Sequence, residues 1–118
     1  MSLLEIDVAA GESGPVIKLA GEADIQGSAE LSAVLAAQLA TGAVRLLVDV
    51  SELRFADSTS VRALVLAART LRERNGSLVL VRPRPPVARI LELMGADQMM
   101  QLRVNPETDV NPETRSER

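Results

Sequence analysis

The stretch Phe55-Ala56-Asp57-Ser58-Thr59-Ser60-Val61 marks a change of period in this chain. Upstream of it, Val44 to Val50 is a nearly continuous apolar run holding Leu46, Leu47 and Val48. Such a run predicts a strand covered on both faces, central in its sheet and parallel to its neighbours. Downstream, Val61, Leu64, Val65, Ala68 and Leu71 recur at helical spacing, with Arg62, Arg69 and Arg72 mostly off that stripe. Asp57 falls at the N-cap, where its carboxylate would accept the backbone N–H of Thr59 or Ser60. Ser58 then opens the helix. A helix N-terminus offers unpaired N–H groups and partial positive charge, so a phosphate carried there is locally stabilised while it alters the surface.

Working outward, Leu4, Ile6 and Val8 alternate with Glu5 and Asp7 as a half-buried strand, and Gly11 to Gly14 supplies a turn. Val16 to Leu19 reads as the second strand of an antiparallel hairpin, followed by Ala20-Gly21 and Glu22-Ala23-Asp24. Leu31, Val34, Leu35 and Leu39 predict a helix from Gly27 or Ser28 to Ala40, ended by Gly42. Beyond the central helix, Asn75-Gly76 is a stop and Leu78 to Val81 a further strand. Pro83-Arg84-Pro85-Pro86 leads into a last helix in which Val87, Ile90, Leu91 and Met94 are expected to face inward. Met100, Leu102 and Val104 alternate as a short edge strand.

These elements make a small α/β domain over residues 1–104, a mixed sheet of four or five strands with helices mainly on one face. From Asn105 the periodicity stops. Asn105-Pro106-Glu107-Thr108 recurs as Asn111-Pro112-Glu113-Thr114, and residues 105–118 form a polar tail too poor in apolar residues to bury, expected to be disordered.

Composition removes whole mechanisms. The 118-residue chain has no Cys and no His, which excludes a disulfide framework, a thiolate nucleophile, a Ser-His-Asp triad and imidazole or thiolate metal sites. A net charge of −3 and a single aromatic residue, Phe55, argue against phosphate-backbone binding and base stacking. No run approaches the roughly 20 apolar residues of a membrane span, and the N-terminus lacks the basic and apolar regions of a signal peptide. The expectation is a cytoplasmic binding protein, not an enzyme, with no cofactor, no metal, no direct nucleic-acid contact and no membrane insertion. Glu22 and Asp24 are the one candidate carboxylate pair, with no nucleophile or metal ligand evident beside them.

Three landmarks resemble the STAS domain, and within it the anti-sigma factor antagonists of bacterial partner-switching systems. Gly21-Glu22-Ala23-Asp24 is similar to the family's Gly-Glu-Leu-Asp signature. Leu47-Val48-Asp49-Val50 with Leu53-Arg54-Phe55 resembles its third strand and approach loop, and Asp57-Ser58-Thr59 its phosphorylation motif. The resemblance covers roughly residues 2 to 104. It implies a protein that binds an anti-sigma factor with serine-kinase activity, frees the sigma factor, and is switched off when that kinase phosphorylates Ser58. A serine phosphatase would reverse the mark, and ATP and metal would belong to the partner. Where the family usually has Gly after its two hydroxyl residues, this chain has Ser60.

The candidate contact surface is therefore Asp24, Asp57, Ser58, Thr59, Ser60 and Arg62. Each has an ordinary structural role open to it: Asp24 and Asp57 as caps, Ser58 as a helix-start residue, Arg62 as a solvated helix residue. Arg62, four residues beyond Ser58, also sits where it can pair with a phosphate. Asp49, in an apolar strand, needs a hydrogen-bonded partner if buried. Met94, Met99 and Met100 suit core and edge packing. The functional alternative is a non-phosphorylated STAS adaptor subunit of an ABC-type lipid transport system.

Overall fold

The computed structural model describes residues 3–103. Two antiparallel strands, β1 (Leu4–Ala9) and β2 (Val16–Ala23), lead into α1 (Ile25–Ala40). There follow β3 (Arg45–Ala56), α2 (Ser58–Glu73), β4 (Ser77–Val81), α3 (Pro85–Leu93), a 3₁₀ turn at Ala96–Gln98 and β5 (Gln101–Arg103). The five strands lie in the order β1-β2-β3-β4-β5, and every pair after the hairpin is parallel.

Since β2 to β5 advance in one lateral direction, right-handed crossovers put all three helices on the same side of the sheet. The core agrees. Leu31 and Leu35 of α1, Val61, Leu64, Ala68 and Leu71 of α2, and Val87 and Leu91 of α3 form one buried cluster with Ile17, Leu19, Leu46, Val48, Val50, Leu78 and Leu80. The α/β class, the five-stranded mixed sheet and its one helical face match the sequence expectation.

Four local readings change. β3 continues to Ala56, so Leu53-Arg54-Phe55, read as an approach loop, is strand. It pairs with β2 through two register shifts, each adding one residue on the β3 side, between Asp49 and Glu52 and between Leu53 and Phe55. β3 is central and parallel, but no helix among the described residues covers its second face. Leu47 is only half-buried there, aligned with Val16 and Val79 in a short apolar row, and that row explains the unbroken run of apolar residues. α1 begins at Ile25, because Asp24 caps it. Met94 is exposed: α3 ends at Leu93, so Met94 lies past the buried stripe that Val87 and Leu91 define. Val104 and the Asn-Pro-Glu-Thr tail lie outside the described residues.

The end of α2 shows why Asn75-Gly76 is a stop. Asn75 takes the left-handed conformation at φ 62°, donating to Arg72 O at 3.0 Å, while Gly76 donates to Leu71 O at 2.7 Å. This pair of bonds is the Schellman pattern. Gly76 is needed for a different reason: a Cβ there would sit 1.7 Å from the Val44 carbonyl oxygen. The Arg74 guanidinium then bonds Leu39 O at 2.9 Å and Ala43 O at 3.0 Å, tying the end of α2 to the end of α1.

Candidate functional site

Parallel strands β2 and β3 end side by side, Ala23 opposite Ala56, and each passes directly into a helix through an aspartate. Both aspartates have extended backbone and act as N-caps. Asp24 Oδ1 accepts the Gly27 N–H at 2.9 Å, and Asp57 Oδ1 accepts the Ser60 N–H at 2.8 Å. The site is therefore a pair of capped helix N-termini at the carboxyl ends of two interior strands, built from sequence-local bonds.

Long-range bonds fix the two starts to each other. The Ala23 carbonyl accepts the Asp57 N–H at 2.9 Å and the Ser60 hydroxyl at 3.0 Å. Ser60, expected on the contact surface, thus turns inward and is 1% exposed. A buried hydroxyl needs a partner, and Ala23 O is the acceptor within reach. A glycine here would lack this bond, so the departure from the usual family pattern adds a tie between β2 and α2. On the β2 side, Gly21 at φ 96° lets the chain pass under Leu3, whose carbonyl would lie 2.2 Å from a Cβ at this position.

The remaining candidates face outward together. Ser58 and Thr59 occupy the first positions of α2 and are exposed, as is Arg62 one turn on. Of the two exposed hydroxyls, that of Thr59 donates to Asp57 Oδ1 at 2.8 Å and that of Ser58 does not. Partial burial pushes the Asp57 carboxyl upward. The bonds from Ser60 and Thr59 outweigh that effect and hold its pKa below the ordinary value of 3.8. Asp57 is consequently an anion at neutral pH and a poor proton acceptor for Ser58.

Two apolar side chains that the sequence reading did not assign to the site flank it. Ile25, the first residue of α1, is 73% exposed, and Phe55, paired with Glu22 across the β2/β3 ladder, is 50% exposed. Ile25 does carry a signal in hindsight, since it is a β-branched apolar residue placed directly after a cap. Glu22 and Asp24 do not form a carboxylate pair: Glu22 lies 3.8 Å from Arg54, and Asp24 is engaged by Gly27. Among the described residues no group of acidic side chains is arranged to hold a metal ion.

The model of the family described as "Mlab, STAS domain" matches residues 6–103. The chain belongs to the STAS domain family. Among curated proteins, BtrV of Bordetella bronchiseptica, assigned as an anti-sigma factor antagonist, is 34% identical over 77 residues, covering 65% of this chain and 66% of that protein. The aligned part is thus just under two thirds of that relative's length. Among solved structures, an anti-sigma factor antagonist from Mycobacterium paratuberculosis superposes with a TM-score of 0.80 at 22% identity, over 88% of each chain. The unphosphorylated form of the anti-sigma factor antagonist SpoIIAA superposes with a TM-score of 0.73 at 21% identity, over 96% of this chain and 94% of that one. At those identities the two structures speak for the fold.

Proposed function

We propose that this protein is an anti-sigma factor antagonist, acting in the cytoplasm as a phosphorylation-controlled binding module and not as an enzyme. Its partner is an anti-sigma factor with serine-kinase activity, and a serine phosphatase reverses the mark at Ser58. The observation that carries this reading is the exposed Ser58 at the first position of α2, beside the Asp57 cap and next to the capped start of α1. The relative BtrV is assigned to the same class, and SpoIIAA is a protein whose structure exists in both unphosphorylated and phosphorylated forms. No helix among the described residues is long and apolar enough to cross a membrane.

Asp24, Ser58, Thr59, Ile25 and Phe55 form the docking surface, with Asp57 and Ser60 holding it in shape. A phosphate at Ser58 adds about −1.5 to −2 charges beside Asp57 and Asp24, at the cost of repulsion and desolvation in the complex. A penalty of about 3 kcal/mol corresponds to roughly a hundredfold in affinity.

The experiment combines capture of the kinase from the native host with calorimetry. Incubation with kinase and Mg-ATP should add about 80 Da, one phosphoryl group, to the parent and nothing to Ser58→Ala. Ser58→Ala should bind as the parent does, and Ser58→Asp roughly a hundredfold more weakly. Equal affinities for the three forms would defeat the switch. Capture of a membrane ATPase in place of a soluble kinase would favour the adaptor reading, and mapping of the phosphate to Thr59 would move the site.

A further inference from the structure

On one side the sheet ends in β1, which among the described residues pairs with β2 alone. An edge strand can template the addition of another strand, and proteins commonly blunt such edges with proline, lysine, a bulge or brevity. β5, at the other edge, is three residues long. β1 uses none of these devices: it runs six residues, Leu-Glu-Ile-Asp-Val-Ala, in unbroken register against β2. Its two acids are its deterrent, and they deter like charge only.

The hairpin bonds show which groups face outward. Leu3 O accepts the Glu22 N–H at 3.1 Å, one rung beyond the Leu4–Gly21 pair. Bonded pairs alternate in an antiparallel ladder, so Glu5 and Asp7 turn their peptide groups toward β2, while Ile6 and Val8 turn theirs away from it. The side chains alternate as well. On the helical face Ile6 packs against the core, and Val8 is 45% exposed at its rim. Glu5 and Asp7, both exposed, lie on the other face.

Neither acid has an ion pair among the described residues. Lys18, opposite Asp7 in the register, is drawn to Glu52 at 3.3 Å. Arg54 and Arg84 share a depression with Glu5, so Asp7 is the less compensated of the two. The edge is therefore apolar on one face and anionic on the other. A second copy is the wrong occupant: two β1 edges running antiparallel would set Glu5 against Asp7, or Asp7 against Asp7, in any extended register, and like charges directly opposite are destabilising. We propose that β1 accepts, by strand addition, an extended segment of a partner protein that alternates Lys or Arg with β-branched apolar residues. Its main chain bonds Ile6 and Val8, its apolar side chains cover those two, and its cations meet Glu5 and Asp7. None of these residues belongs to the Ser58 docking surface.

The probe is a synthetic peptide, acetyl-Trp-Lys-Val-Lys-Val-Lys-Val-Lys-amide, whose indole has no counterpart in the protein. Titration with the full chain at low salt, followed by tryptophan anisotropy, should saturate. The same peptide with Glu in place of Lys should bind at least about tenfold more weakly. Amide exchange at Ile6 and Val8 should slow when the basic probe is added, with no change at the start of α2. Glu5→Lys/Asp7→Lys should weaken the basic probe at least roughly tenfold, since both cross-strand pairs turn repulsive. Val8→Pro removes an outward N–H while sparing the β2 ladder, and should abolish binding with the circular dichroism spectrum unchanged. Should Val8→Pro unfold the chain, the charge reversal decides. The proposal is overturned by an absence of saturable binding, by equal affinity for the two peptides, by indifference to the charge reversal or to a folded Val8→Pro, or by protection that gathers at α2. A dimer in analytical ultracentrifugation that Val8→Pro dissociates would make a second copy the occupant and overturn it too. Ser58→Ala should bind the probe as the parent does, so failure here leaves the Ser58 switch untouched.

Discussion

Asp57→Ala separates the structural part of the site from its chemical part. The carboxylate accepts two bonds at 2.8 Å, from the Ser60 N–H and the Thr59 hydroxyl, at the positive end of α2. Loss of an N-cap costs about 1 kcal/mol, and loss of a negative charge at a helix N-terminus about 0.3–1 kcal/mol more. The expected destabilisation is about 1.3–2 kcal/mol at pH 7, or about 6–9 °C in Tm for a domain of this size. With no Trp and no Tyr in the chain, urea unfolding is followed by far-UV circular dichroism. The pH dependence follows from the lowered pKa of Asp57. A carboxyl depressed in the folded state contributes fully above its unfolded pKa of about 3.9 and loses that contribution as pH falls through the folded value. The gap between parent and Asp57→Ala should therefore be widest at neutral pH and shrink as the pH falls through the lowered pKa of Asp57. Asp49, whose burial is likewise outweighed by bonds from Ser51 and the charge of Arg82, is depressed in both proteins and cancels in the difference. Asp57→Asn keeps an acceptor oxygen and should cost only the charge contribution. A gap under about 0.5 kcal/mol at pH 7, or one that widens in acid, would refute this account of the cap.

Two further outcomes test other parts of the structure. Arg62 is exposed one turn after Ser58, so in the phosphoprotein it should pair with the phosphate and add about 0.5–1 kcal/mol. Thermal unfolding of the parent and Arg62→Ala, each with and without phosphate, forms the cycle, and zero coupling at low salt would reject the pair. Gly76→Ala forces a Cβ to 1.7 Å from Val44 O and should cost about 3 kcal/mol or more in urea unfolding, whereas a cost below about 1 kcal/mol would mean that β3 and α2 part easily there.

The element types were legible because their periods are strong: the β1/β2 hairpin, the α2 stripe and both aspartate caps follow from neighbours in sequence. What escaped was set by contacts distant along the chain. The extension of β3 through Ser51 to Arg54 depends on β2 continuing beside it to Ala23, and its bulges have no local signature. The inward turn of Ser60 depends on a carbonyl 37 residues away. That no described helix covers the second face of β3 was hidden because Leu47 is apolar for the sake of one cross-strand row.

The doubly bonded Ala23 carbonyl has a consequence for any enzyme that modifies Ser58. A kinase that threads its substrate as an extended peptide would have to strip the Asp57 cap and pull α2 away from β2 before reaching the hydroxyl. Recognition must instead be of a folded shape, one that arrives already assembled and loses little conformational entropy on docking. A short synthetic peptide spanning Phe55 to Arg62 carries the right letters and none of that geometry. The specificity of the mark then resides in the fold that presents the serine, and local melting of the junction would silence it as surely as removal of the residue.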